Sequence, residues 1–248
     1  MKPHRSRYWL NTTETEPARF QQQVETVCQT DAQAVERYRQ GDHTVSLDEM
    51  TGIQALERAA PTKPARPGWV ERREFEYIRH GTRTLIANLE VATGQVIAPS
   101  LGPTRTEVDL VAHIAQTVAT DPTARWTFVC DHLNVHQSAG LVVWVAQHCR
   151  LTDELGCKGK TGILKSLCSR AAFLSDPTHA IHFVYTPKHA SWINQIELWF
   201  SILMRRLLKR VSCISTDDLS QRILDFIAFF NRTARAFKWT YAGRPLQV

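Results

Sequence analysis

Three acids interrupt patterns that call for apolar or neutral residues: Asp48 closes the run TVSLD, Asp131 closes RWTFVCD, and Glu197 lies inside the amphipathic stretch SWINQIELWFSIL. Carboxylates at the ends of neighbouring strands, joined by one from a nearby helix, form the hard-oxygen cage that Mg²⁺ prefers, and two such ions can sit astride a phosphodiester. One ion would activate water or a 3′-hydroxyl and the other would stabilise the leaving oxygen during in-line attack, with none of the acids acting as a covalent nucleophile. Each acid also has a plainer reading. Asp48 reads as a strand-end cap, Asp131 as a cap of the turn into the next helix, and Glu197 as an exposed helix residue. Only their combination points to phosphoryl transfer.

Other polar residues cluster near these acids in the chain. Asn134 and His136 follow Asp131 closely enough to line a site, although a turn-forming Asn and a core His fit the same spacing. His189 and Trp192 precede Glu197 and are candidates to touch a substrate, Trp192 equally a packing residue. On a helix Glu197 shares a face with Asn194 and Ser201, while Ile196, Phe200, Leu203 and Leu207 mark the buried face.

The formal charge is +6, and it is unevenly placed. Between Leu151 and Ser215 nine Lys or Arg face four acids, a local excess of five positive charges around the third carboxylate. A polyanion is expected to lie there, with Lys158, Lys160, Lys165, Arg170, Lys188, Arg205, Arg206 and Lys209 against its phosphates. A solvated basic face, or cations complementing the C-terminal end of a helix dipole, is the plainer account. Within this stretch GCKGKTG looks like a phosphate-cradling loop, but Glu154 stands where a P-loop needs its first glycine and no clear strand precedes it. A flexible basic loop fits better, one that contacts a DNA backbone through its lysines and amides.

The elements that must position these groups read as an α/β domain. Residues 16–40 carry apolar positions at helical spacing, from Phe20 and Val24 to Val35 and Tyr38, with Gly41 as the stop. A strand is expected at 44–49, then an irregular loop at APTKPARPGW, where three prolines and a glycine preclude regular structure. REFEYIRHG and TRTLIANLEVATGQVIAP predict a meander of three antiparallel strands, turning near Gly81 and again at Thr93-Gly94. Thr104 or Thr106 caps a helix to about Thr120 with Val108, Val111, Ile114 and Val118 on one face. The strand 126–130 delivers Asp131. Helices are expected at 139–149, around 163–174, at 192–210 and from Ser215 onward, with the strand IHFVY before the third of these.

Composition excludes several classes. At 248 residues and 43% hydrophobic the chain can bury a sizeable core as one large domain. It has no run of about 18 apolar residues to span a membrane, and MKPHRSRYWLNTTE lacks the apolar core of a signal peptide, so a cytoplasmic protein is expected. Six cysteines without CxxC pairs suit reduced thiols rather than disulfides or a zinc site from Cys149, Cys157 and Cys168.

TVSLDEMTGIQAL, FVCDHLNVH and TPKHASWINQIELWFSIL resemble the three catalytic blocks of transposases of the bacterial insertion-sequence 630 family, related to the mariner superfamily. The resemblance spans roughly Thr44 to Asn231, and the Pro-x-x-x-x-Trp-x-Asn-x-x-Glu-x-Trp block is its most specific part. It implies a ribonuclease H-like mixed sheet flanked by helices, similar to the catalytic core of retroviral integrases. Asp48, Asp131 and Glu197 would bind two Mg²⁺ ions, with Mn²⁺ as substitute, for cleavage of transposon ends and strand transfer into target DNA. His132, Asn134, His136 and Asn194 would line the site, and His189 would join the lysines and arginines above on DNA. His132 stands where the family usually has Asn. The 66 positions from Asp131 to Glu197 exceed the usual spacing, and the excess matches the basic stretch at about 151–176, read as an insertion over the DNA path. Residues 1–43 are expected to be a helical N-terminal segment, with KPHRSRYWL as the tail of a missing DNA-binding region, and 44–248 the catalytic domain. Terminal inverted repeats, target DNA and a homodimer or larger assembly on DNA are the implied partners. Another ribonuclease H-like nuclease or resolvase, or an inactive DNA-binding remnant, is the alternative.

Overall fold

A computed structural model describes residues 17–188 and 190–239. The segment KPHRSRYWL and His189 lie outside the described residues. In chain order the elements are helix α1 (Pro17–Arg39), strands β1 (His43–Arg58), β2 (Tyr77–Glu90) and β3 (Val96–Gly102), helix α2 (Glu107–Val118), strand β4 (Trp126–Cys130), helices α3 (Ala139–His148) and α4 (Leu167–Leu174), strand β5 (Ile181–Tyr185), and helices α5 (Ile196–Leu203) and α6 (Thr216–Asn231).

The five strands form one sheet in the order β3-β2-β1-β4-β5. β2 runs antiparallel to both β1 and β3, whereas β4 runs parallel to β1 and β5 parallel to β4. This is a mixed five-stranded sheet flanked by helices, as the sequence led us to expect. β4 lies between two parallel neighbours, and all five of its residues, WTFVC, are buried, as a continuous apolar run requires of a strand covered on both faces. Strand alternation then divides the core. Val45, Leu47 and Phe128 face α2, α3 and α4 through Leu110, Ile114, Leu141, Val145 and Leu174. On the other face Leu85, Ala87 and Leu89 meet Ile196, Trp199 and Phe200 of α5 and Leu219 and Ile223 of α6, while Val129 meets Val24 and Val27 of α1. Each such aliphatic side chain contributes roughly 1.5–3 kcal/mol on burial.

Several expectations need correction. β1 does not stop at Glu49: it runs on to Arg58 as the antiparallel partner of β2, across a register shift next to Gly52, whose φ is 66°. The chain does not turn at Gly81 either. β2 passes straight through it, and Gly81, at φ 117°, absorbs an extra residue where Gln54 pairs with Thr82 and Leu56 with Arg79. A glycine in a strand pattern therefore marks a bulge here rather than a hairpin tip. On α2 the capping box of Thr106 and Asp109 forms, but Val108 is exposed. Steps of three residues fall short of a 3.6-residue turn, so a series spaced by three drifts around the helix and its first member leaves the Leu110, Ile114, Val118 face. The helix expected at 192–210 is broken into a 3-10 turn at Ser191–Ile193, then α5, then a π turn at Met204–Leu208.

The basic stretch at 151–176 divides in two. Residues 152–154 and 156–162 are exposed, closed by Gly156 and Gly162 packed back to back, where a Cβ on Gly156 would stand 2.3 Å from the Thr161 carbonyl oxygen. Leu164, Phe173 and Leu174 by contrast enter the core. All six cysteines are free thiols. Among the described residues no helix is long and apolar enough to cross a membrane.

Candidate active site

The parallel register of β1 and β4 sets Val45 beside Phe128 and Ser46 beside Val129. Continued two residues along both chains, the same register brings Asp48 beside Asp131, one step past the end of β4. Asp48 is thus not strand-terminal. It sits where β1 loses its β4 neighbour while keeping β2, with Ala87 across from it. Its Oδ1 accepts from the Glu49 amide at 2.7 Å.

Glu197 arrives from the sheet's α5 face, on a segment tied down residue by residue. Ser46 Oγ donates to Asn194 Oδ1, Asn194 Nδ2 donates to the Leu47 carbonyl at 3.0 Å, and the Ile196 amide donates to Ser46 Oγ at 2.8 Å. Between them Gln195 Nε2 donates to Asp31 Oδ2 of α1 at 3.0 Å. Asn194 has an extended backbone, so its side chain replaces helix contacts with contacts to β1 and interrupts the expected long helix. Glu197 follows in the first turn of α5, exposed, above the strand that carries Asp48.

The charges of these acids interact. Burial, together with the charges of Asp131, Glu49 and Glu197, pushes the Asp48 carboxyl up to about 7 against one opposing amide hydrogen bond. Partial burial and the Asp131 charge also raise Glu197. Asp131 moves the other way: burial would raise it, but the hydrogen bond and charge of His136 and the Leu133 amide, 2.9 Å from Oδ1, outweigh that and lower it. One carboxyl is therefore held ionised beside two whose negative charge is disfavoured.

The described residues contain no group of three or more His, Cys, Asp or Glu that encloses a metal ion as they stand. The donor set itself fits a hard divalent cation. It consists of carboxylate oxygens alone, and a bound cation would offset both the burial and the neighbouring negative charges that raise the Asp48 carboxyl.

His136 and Asn194, expected to line the site, are both buried. His136 Nδ1 lies 2.8 Å from Asp131 Oδ1 and donates to the Asp131 carbonyl oxygen at 3.1 Å, and its Nε2 donates to Glu49 Oε1 at 2.9 Å. Burial alone would lower this ring; the Cys130 sulfur and the bonds to Asp131 and Glu49 hold it well above its ordinary value. Because burial keeps Cys130 a neutral thiol, the two carboxylates carry that effect. Glu49 was not legible as a site residue, since strand alternation turns it away from Asp48. His132 Nδ1 donates to the Thr186 carbonyl at 2.8 Å, its ring lies 5.0 Å from that of Tyr185, and burial lowers its pKa. With exposed Asn134, it lines a groove of about 650 Å³ between α1 and α4 that also carries Arg19 and Lys188.

Of the cations expected on a polyanion, Lys158, Lys160, Lys165, Lys188, Arg205, Arg206 and Lys209 are exposed. Arg170 is not. Its Nε donates to the Gln137 carbonyl at 2.6 Å and Nη1 to the Leu164 carbonyl at 3.0 Å, so it is a buried tie between α4 and the turn after Asp131. The sequence showed only a cation in a basic stretch; helical spacing from Leu167 and Leu174 does not reveal two unpaired carbonyls underneath.

A family model for the DDE superfamily endonucleases matches residues 43–220, a span that contains Asp48, Asp131 and Glu197. The chain belongs to this family. No curated protein matches it. Among solved structures, this DDE superfamily endonuclease is similar to the Mos1 mariner paired end complex with Mn, at 13% identity and a TM-score of 0.48, over 90% of this chain and 59% of that one. It is similar to a pre-cleavage Mos1 transpososome at 12% identity and a TM-score of 0.49, over 91% and 61%. The catalytic domain of Mos1 mariner transposase gives 11% and 0.47, over 89% and 85%. The chain spans about three-fifths of the length of the first two. The family assignment rests on the match over residues 43–220.

Proposed function

We propose that this DDE superfamily endonuclease is the catalytic domain of a DNA transposase of the insertion-sequence 630 type, which cleaves transposon ends and joins them to target DNA. The observation that carries the reading is the β1–β4 register, which brings Asp48 beside Asp131 under a Glu197 whose position is set by the Ser46 and Asn194 hydrogen bonds. In this reading Asp48, Asp131 and Glu197 hold divalent cations, Mg²⁺ or Mn²⁺, two per site. When bound, these supply Lewis-acid activation of the attacking hydroxyl and stabilisation of the leaving oxygen.

The chain's own residues have separate tasks. His136 keeps Asp131 ionised and oriented, and the Asn194 ties hold Glu197 over β1. The exposed cations Lys158, Lys160, Lys165, Lys188, Arg205, Arg206 and Lys209 neutralise phosphates and align the duplex without reading its sequence. Joining two ends requires at least two copies on DNA. Residues 151–176 form the basic insertion over the DNA path, its exposed front half supplying the contacts, and residues 1–43 adjoin an end-binding region. The site of action is the bacterial nucleoid.

The test is nicking of supercoiled plasmid in Mn²⁺ by the full chain, compared with Asp131→Asn and Glu197→Gln. Loss of nicking with an unchanged circular-dichroism spectrum supports the reading. Nicking that persists in either variant, or in EDTA, overturns it. Equal DNA binding with metal or EDTA and no nicking by the parent would favour an inactive DNA-binding remnant.

A further inference from the structure

Glu49 follows Asp48 in β1, so strand alternation sends the two side chains to opposite faces of the sheet. Asp48 faces Glu197, whereas Glu49 points to the α2–α3 face, where its side chain is 1% exposed. An acid in that place is out of pattern, for its strand neighbours on the same face, Val45 and Leu47, are core residues. Its Oε2 makes no hydrogen bond among the described residues and has Arg105 Nη1 3.8 Å away. Its Oε1 contact is His136 Nε2 at 2.9 Å.

His136 is held as a fixed spacer. The 3-10 turn Asn134–Gln137 carries it beneath Asp131, the Tyr185 hydroxyl donates to its carbonyl at 2.9 Å, and its ring is fully buried. An imidazole free to rotate about its side-chain bonds could present either nitrogen to Asp131. Glu49 removes that freedom by accepting from Nε2, which leaves Nδ1 facing Asp131, 2.8 Å from its Oδ1 and 3.1 Å from its carbonyl oxygen. The Leu133 amide donates to Oδ1 at 2.9 Å. Both side-chain contacts fall on Oδ1, and the Asp131 side chain stays 38% exposed, which leaves the carboxylate held on one side and open to a ligand on the other.

A buried ion pair of this sort contributes little net stability, because desolvation offsets its attraction and apolar residues of similar volume often do as well. What an apolar replacement cannot do is orient Asp131. Partners one shell behind metal-binding side chains characteristically do this, and their loss typically weakens metal affinity or activity about 10- to 100-fold.

We infer that Glu49 is a positioning residue for the Asp131 carboxylate, acting through His136. This rests on Asp131 being a metal-binding acid of the proposed function. Its test titrates Mn²⁺ against the full chain with plasmid DNA, reading both the nicking rate and the rise in melting temperature that metal binding causes. Three variants grade the contact: Glu49→Ala removes the acceptor, Glu49→Asp keeps the charge but falls short of Nε2, and Glu49→Gln keeps an oxygen at full reach. The Mn²⁺ midpoint of both readouts is expected to rise about 10-fold or more in Glu49→Ala and Glu49→Asp, with Glu49→Gln closer to the parent than either. Unchanged midpoints overturn the inference. So does a lower metal-free melting temperature with reduced nicking at saturating Mn²⁺ and an unmoved midpoint, which is the mark of a purely structural residue. Should Glu49→Ala not fold, the Glu49→Asp and Glu49→Gln pair decides. A parent protein that Mn²⁺ does not stabilise, or an Asp131→Asn variant that nicks like the parent, instead defeats the proposed function, and the inference falls with it.

Discussion

Ser46 and Asn194, 148 positions apart in the chain, hydrogen-bond to each other in the buried junction between β1 and the start of α5. Two residues beyond Ser46 stands Asp48, and three beyond Asn194 stands Glu197, so one contact sets the spacing of two of the three acids. Asn194→Ala removes the acceptor of the Ser46 hydroxyl and a donor to the Leu47 carbonyl, at a cost of about 1–3 kcal/mol. Nicking is expected to fall further than stability does, because the first turn of α5 loses its anchor. Urea melts and nicking rates on the same preparation check this; a loss of activity no larger than the loss of folded protein would contradict it.

The three acids should be individually indispensable. Asp48→Asn, Asp131→Asn and Glu197→Gln each remove a group expected to be worth several kcal/mol in the transition state, so the Mn²⁺-dependent nicking rate should drop roughly 100-fold or more. Single-turnover nicking with parent-like melting curves measures it.

Basic residues should separate into two kinds. Lys160→Ala and Lys165→Ala are expected to reduce the salt dependence of DNA binding by about one unit of log–log slope for each phosphate that is no longer neutralised. Arg170→Ala should leave that slope alone and instead cost roughly 1–3 kcal/mol of stability, because the Gln137 and Leu164 carbonyls lose their donor. Binding titrations across a salt series, paired with melts, distinguish them.

Asp31 makes stability pH-dependent. Burial raises its carboxyl from 3.8 to about 7, outweighing the hydrogen bond from Gln195. A carboxyl raised in the folded state binds its proton more tightly there than in the unfolded chain. Its contribution is therefore full below 3.8 and is lost as pH rises through about 7. Asp31→Asn, which keeps an acceptor for Gln195, should gain over the parent as pH rises from 4 to about 8, by on the order of 4 kcal/mol at most. Urea melts at pH 5 and 8 measure the difference; equal gains at both would exclude it.

Local pattern was sufficient for much of this molecule. WTFVC and IHFVY read as strands with the boundaries they have, because a short apolar run between turn signals has few other fates. Ser215 and Asp218 cap α6 as a serine followed by an acid at that spacing should. The three acids stood out because each broke an apolar pattern, and the surplus of basic residues was visible by counting.

What the sequence by itself determined, then, is the type of each element, the residues that build its buried face, and the identity of acids and cations too costly to place there by chance. Only the tertiary structure decided which of them meet. The register that sets Asp48 beside Asp131, the Asn194 contact that ends a 3-10 turn where helical spacing ran on, the burial of Arg170 and the pairing of Glu49 with His136 all join positions far apart in the chain. Periodicity reports the environment of a side chain averaged over its own helix or strand. It carries no term for the partner, and a buried polar group is defined by its partner.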